Sequence, residues 1–122
     1  MIKKYVSIDI GGTAMKYGLI SEEGVILARS EQKTEAYKGG ASILEKAVRI
    51  VEGFLKREEI SGICISTAGM VDTIKGEIFY SAPLIPRYAG TKFNETMERK
   101  FGIPCEVEND VNCAGLAEYK AG

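Results

Sequence analysis

The chain of 122 residues contains no histidine. That absence removes a Ser-His-Asp triad and any Cys/His zinc site built from this chain alone. A catalytic acid or base here must be a carboxylate, a lysine, a tyrosine or a thiol. Cysteine is scarce as well: Cys64, Cys105 and Cys113 are an odd number without C-x-x-C spacing, which disfavours a secreted disulfide framework. No run of Lys or Arg exceeds two and the net charge is −1, so the basic stripe of a nucleic-acid binder is missing. No apolar stretch approaches the ~20 residues of a membrane span, and no signal-peptide pattern opens the chain. The expectation is a cytoplasmic protein with no membrane and no nucleic-acid partner.

What is present is an ordinary globular composition, 45% apolar and 27% charged, in a length that suits one domain with a proper core. Tyr5–Ile10, Met15–Ile20 and Val25–Ser30 read as three strands joined by short turns, and Glu31 to Gly40 as a connecting loop. An apolar stripe of Ile43, Leu44, Ala47, Val48, Val51, Phe54 and Leu55 predicts a helix from about Ala41 to Arg57, with Ser42 and Glu45 as a capping box. Ile60–Ser66 reads as a fourth strand parallel to the first. A small hairpin, Met70–Asp72 with Glu77–Tyr80, and an irregular loop carrying Pro83 and Pro86 follow. A second helix is expected over about Thr91–Phe101, stopped by Gly102 and Pro104. Cys105–Glu108 is then a fifth strand, with a third helix from Asp110 or Val111 onward. The order predicts an α/β fold: a five-stranded mixed sheet, helices on both faces and a β-hairpin insertion.

Ligands of open α/β sheets bind beyond the carboxyl ends of parallel strands. Three such ends carry polar or glycine-rich residues: Asp9-Ile10-Gly11-Gly12-Thr13, Thr67-Ala68-Gly69, and Glu108-Asn109-Asp110. The first combines a carboxylate in an apolar strand with a Gly-Gly turn whose N–H groups suit phosphate oxygens, though a plain hairpin with a satisfied Asp has the same letters. Asn109 and Asp110 are equally what a helix N-cap uses. If all three open on one crevice, Asp110 becomes a general base beside a bound hydroxyl, Asn109 a grip on its neighbours, and Asp9 a magnesium site acting through water. Such a set describes phosphoryl transfer.

These residues resemble the ROK family (repressors, open reading frames and kinases) of the actin-like, hexokinase and Hsp70 ATPase superfamily. Asp9–Thr13 resembles its first phosphate motif. Ser66-Thr67-Ala68-Gly69-Met70-Val71-Asp72 with Gly76-Glu77-Ile78 resembles its PG-x-V-D…G-x-I segment. Glu108-Asn109-Asp110-Val111-Asn112-Cys113-Ala114, leading to Ala117-Glu118, resembles its most diagnostic stretch. The resemblance implies a ribonuclease H-like, actin-type N-terminal lobe over 1–122, with the C-terminal lobe outside the chain. It implies an ATP-dependent sugar kinase with Gly11, Gly12 and Thr13 on the phosphates, and Asp9 at Mg²⁺. Gly69 and Asn109 would then contact the sugar and Asp110 would act as base. A structural zinc would belong to the missing lobe only. The partners expected are ATP and a small sugar, and a homodimer is compatible with the family. Ala14 stands where lysine is common and Ala68 where proline is. No asparagine lies near Ser81-Ala82-Pro83, which leaves the sugar open among N-acetylmannosamine, N-acetylglucosamine, glucose, fructose and β-glucosides. The alternatives are a sugar-sensing transcriptional regulator and a non-catalytic sugar-binding protein. The lobe alone is expected not to turn over.

Overall fold

The computed structural model describes residues 3–67, 70–72, 77–80 and 92–109. Strands β1 (Lys4–Ile10), β2 (Ala14–Ser21) and β3 (Ile26–Lys33) lead through one 3₁₀ turn (Ala36–Lys38) to helix α1 (Gly40–Leu55). Strand β4 (Gly62–Thr67), the hairpin β5 (Met70–Asp72) and β6 (Glu77–Tyr80), helix α2 (Phe93–Phe101) and strand β7 (Cys105–Asn109) complete the order. The main sheet runs β3-β2-β1-β4-β7, with β2 antiparallel to both its neighbours and β1, β4 and β7 parallel.

Period-two alternation sets the two faces of this sheet. Val6, Ile8 and Ile10 of β1, Met15 and Leu19 of β2, Ile63 and Ile65 of β4, and Cys105 and Val107 of β7 are all buried in one cluster. The same cluster takes Ile43, Ala47, Ile50, Val51 and Phe54 from α1 and Phe93 and Met97 from α2. Both described helices therefore pack on one face. The helix expected from Asp110, which would cover the other face, lies outside the described residues. So do the turn of 73–76 and the loop of 81–90.

Two local expectations are corrected. The segment 31–40 is not a loop throughout: β3 runs to Lys33, because its ladder with β2 extends to the pair Ala14–Lys33. Nor do Ser42 and Glu45 cap α1. The helix begins at Gly40, entered from Gly39 at φ 88° with no side-chain cap, and Glu45 pairs instead with Arg49 at 2.6 Å. Gly39 and Gly40 are buried, and the left-handed entry at 39 requires glycine, so the helix starts ahead of the serine. Gly102 stops α2 as expected, in the left-handed conformation (φ 67°) with its N–H on the Glu98 carbonyl at 2.8 Å. Cys105 is a free thiol pushed up to about 12, first by burial and then by Glu98 and Glu106. Cys64 is disulfide-bonded, so one cross-link does form, short of a framework.

Candidate active site at the carboxyl ends of the parallel strands

The ladder aligns the three strand ends. Ile10 pairs in register with Thr67, and Thr67 with Asn109, so β1, β4 and β7 end at one level of the sheet. At about 4.8 Å per strand, the Asn109 backbone stands roughly 10 Å from that of Ile10. The described backbone thus brings the three strand ends to one edge of the sheet. Asn109 is the last residue of β7; Gly69 and Asp110 lie outside the described residues.

Asp9 points to the sheet face opposite the helix-covered core, because Ile8 and Ile10 point into that core. Its carboxylate is exposed, and the Ser66 hydroxyl donates to Oδ1 at 3.1 Å from the neighbouring register position on β4. The carboxylate is therefore not an orphan in the core, and among the described residues it is in no ion pair. It opens on a groove of about 670 Å³ bordered by Ser7, Lys16, Gly18, Arg29 and Glu31.

The turn from Gly11 to Thr13 is closed by the Gly11 N–H on the Ala14 carbonyl at 3.0 Å. A Cβ on Gly11 would sit 3.0 Å from that same carbonyl oxygen, so the close approach needs glycine. Gly12 is different: a Cβ there would meet nothing within 4 Å among the described residues. Neither the Gly12 nor the Thr13 N–H finds a partner among the described residues, and both residues are exposed. The Gly12 N–H, which shares a peptide plane with the Gly11 carbonyl held by Thr34, points away from Thr34, and an exposed turn N–H of this kind suits an anion.

Sequence reasoning missed what holds this turn. Thr34, fully buried, donates its hydroxyl to the Gly11 carbonyl at 2.7 Å and its N–H to the Thr13 carbonyl at 2.9 Å. Both carbonyls are thereby drawn to one residue. Lys46 of α1 continues the brace, donating to the carbonyls of Lys33 and Thr34 at 2.9 Å each and to Glu35 Oε1 at 2.7 Å. Glu35 sits at φ 53°, and the hydrogen bond from Lys46, followed by those from Lys38 and Tyr37, holds its carboxyl down at about 2. The one sequence signal for Thr34 was a hydroxyl next to an acidic residue in a segment read as loop. Ser66 gave none beyond its place beside the strand end.

The order β3-β2-β1-β4-β7 across the main sheet, with β2 alone reversed and a Gly-Gly turn between β1 and β2, defines a ribonuclease H-like lobe of the actin type. The ROK family model matches residues 5–122, and the chain belongs to the ROK family. It is 50% identical over 118 residues to an uncharacterized protein of Clostridium perfringens, covering 97% of this chain and 40% of that protein. It is 33% identical over 117 residues to the glucokinase of Streptomyces coelicolor, covering 96% of this chain and 36% of that enzyme. Among solved structures, a ROK glucokinase from Streptomyces griseus in complex with glucose and AMPPNP superposes with a TM-score of 0.81 at 28% identity, over 100% of this chain and 37% of that one. A ROK transcriptional regulator shares the fold alone (TM-score 0.79, 18% identity, 94% of this chain and 30% of that one). The chain thus spans about two-fifths of the length of the curated relatives it matches.

Proposed function

We propose that this chain is the N-terminal lobe of an ATP-dependent sugar kinase, which transfers the γ-phosphoryl group of ATP to a sugar hydroxyl. The observation that carries the reading is the in-register alignment of Ile10, Thr67 and Asn109, because it brings the Gly11–Thr13 turn and the backbone of Asn109, which Asp110 follows in sequence, to one edge of the sheet. The similarity to glucokinases, one of them solved with glucose and AMPPNP, supports the same substrate class.

In this reading the N–H groups of Gly12 and Thr13 receive phosphate oxygens. Asp110 takes the proton of the attacking hydroxyl. Asn109 and Gly69 hold the sugar so that this hydroxyl faces the phosphorus. Asp9 would hold Mg²⁺ through water: its carboxylate is exposed and steadied by Ser66, and one carboxylate with water and phosphate oxygens is the set magnesium prefers. Bound magnesium supplies charge neutralisation on the phosphates. ATP as donor fits a cytoplasmic location, and no helix among the described residues is long and apolar enough to cross a membrane.

The test is an ATP-coupled assay of the full-length gene product over a panel of sugars, wild type against Asp110→Asn. Turnover should fall by about 10²–10⁴ while sugar affinity stays within a few-fold. Transfer surviving in Asp110→Asn would remove Asp110 as base. A wild type that binds sugar and never turns over would favour a sensor.

A further inference from the structure

We infer that Lys46 is a positioning residue for the phosphate turn. Acting through Thr34, it fixes the direction of the Gly12 N–H and so sets the affinity for the phosphates of ATP, without touching the ligand and without bearing on the sugar. The inference deepens the proposed function and rests on it for the identity of the ligand.

Lys46 reaches from α1 to the end of β3 and uses its whole donor capacity there. An ammonium has three N–H donors, and three acceptors take them: the carbonyls of Lys33 and Thr34 at 2.9 Å each and Glu35 Oε1 at 2.7 Å. The side chain is 17% exposed. With every donor engaged, the ammonium is not offered to a ligand, and what it does is done through the backbone it holds. That hold has a firm base, because Ile43, Ala47 and Ile50, all within about a turn of Lys46 on α1, are buried in the core.

Thr34 carries the effect to the turn. It is fully buried, and each of its polar groups has a partner. The hydroxyl donates to the Gly11 carbonyl, the N–H donates to the Thr13 carbonyl, and its own carbonyl accepts from Lys46. A displacement of Thr34 therefore moves the Gly11 and Thr13 carbonyls together. In a trans peptide the C=O and the following N–H point in opposite directions, so the direction of the Gly11 carbonyl sets that of the Gly12 N–H.

The backbone beside Thr34 shows that this hold is needed. Glu35 has φ 53°, and no other residue besides glycine has a positive φ among the described residues. A left-handed glutamate is uncommon and persists where its surroundings hold it in place. The surroundings here are Lys46, Lys38 and Tyr37, with the last two at 3.1 Å from Oε2. In Lys46→Met two carbonyls lose their donor and Glu35 loses one of its two cations, so the segment 33–35 relaxes and the turn loses its fixed direction.

The test uses the full-length gene product and two measurements: KM values in the ATP-coupled assay with the sugar turned over fastest, and direct titration with AMPPNP. Lys46→Met should raise both the KM for ATP and the Kd for AMPPNP by roughly tenfold, with the KM for sugar within about twofold of wild type. Arg49→Met removes an exposed ion pair with Glu45 on the same helix and should leave all three within about twofold. Because Lys46 acts through Thr34, Lys46→Met combined with Thr34→Ala should cost less than the product of the two separate effects. A Lys46→Met protein that melts cooperatively and binds AMPPNP like wild type overturns the inference. So does a parallel rise in the KM for ATP and for sugar, which is what a merely structural role gives, and so does an equal effect of Arg49→Met. A wild type that binds AMPPNP but phosphorylates no sugar removes the kinase reading, while the titration still decides the role of Lys46. A wild type that does neither removes both.

Discussion

Thr34 lies 23 residues from Gly11 in the chain and yet holds its carbonyl. A buried hydroxyl that satisfies a turn carbonyl shapes the turn, because the carbonyl drawn inward leaves the N–H of the next residue aimed outward. Thr34→Ala leaves the Gly11 carbonyl unpaired and should cost about 1–3 kcal/mol in thermal or urea unfolding. In the full-length protein the same change should raise the KM for ATP more than that for sugar, while Thr34→Ser, which keeps the hydroxyl, stays near wild type in both. Ser66 does the analogous work for Asp9, from the next strand. The carboxylate and the two glycines were legible in the sequence because they are chemically out of place in an apolar strand. Their supports were not, since a Thr or Ser is unremarkable until the fold puts an acceptor next to it.

At the level of elements, the sheet and both helices follow from local pattern. Alternation fixes which side of β1 and β4 is core, and the i, i+3, i+4 stripe fixes the buried side of α1. Boundaries moved where pairing or backbone geometry overrode propensity, as at Lys33 and at Gly39. The Lys46–Glu35 brace joins α1 to the end of β3, and its strength depends on pH. Glu35 has its folded pKa lowered to about 2 from 4.5, so its contribution is whole above about pH 4.5 and is lost as pH falls toward 2. Melting wild type against Glu35→Gln should show a difference at pH 6 that closes between pH 4.5 and 2. The exposure of these groups keeps that difference small.

Over the described residues, one face of the sheet is closed by α1 and α2, while the turn after β1 and the carboxyl ends of β4 and β7 share one edge. A phosphoryl-transfer site must enclose the transferred group and exclude water, and under the proposed function the described residues would supply one wall of it. Residues 1–122 expressed alone are therefore expected to give no measurable phosphoryl transfer to any sugar in the ATP-coupled assay. A linear rate from that fragment, above the buffer blank, would show that the wall suffices.

The sequence by itself determined the class of fold, the strand and helix order, and the residues at the strand ends, because period-two and period-3.6 patterns and glycine turns are local properties of the chain. The tertiary structure decided the rest. Register alone placed Ile10, Thr67 and Asn109 at one level. Long-range contacts alone assigned Thr34 to the turn and Ser66 to Asp9, and only sheet order put β3 at one end of the main sheet. Each of these is a relation between segments distant in the chain, fixed when the apolar faces pack, and no local pattern encodes it.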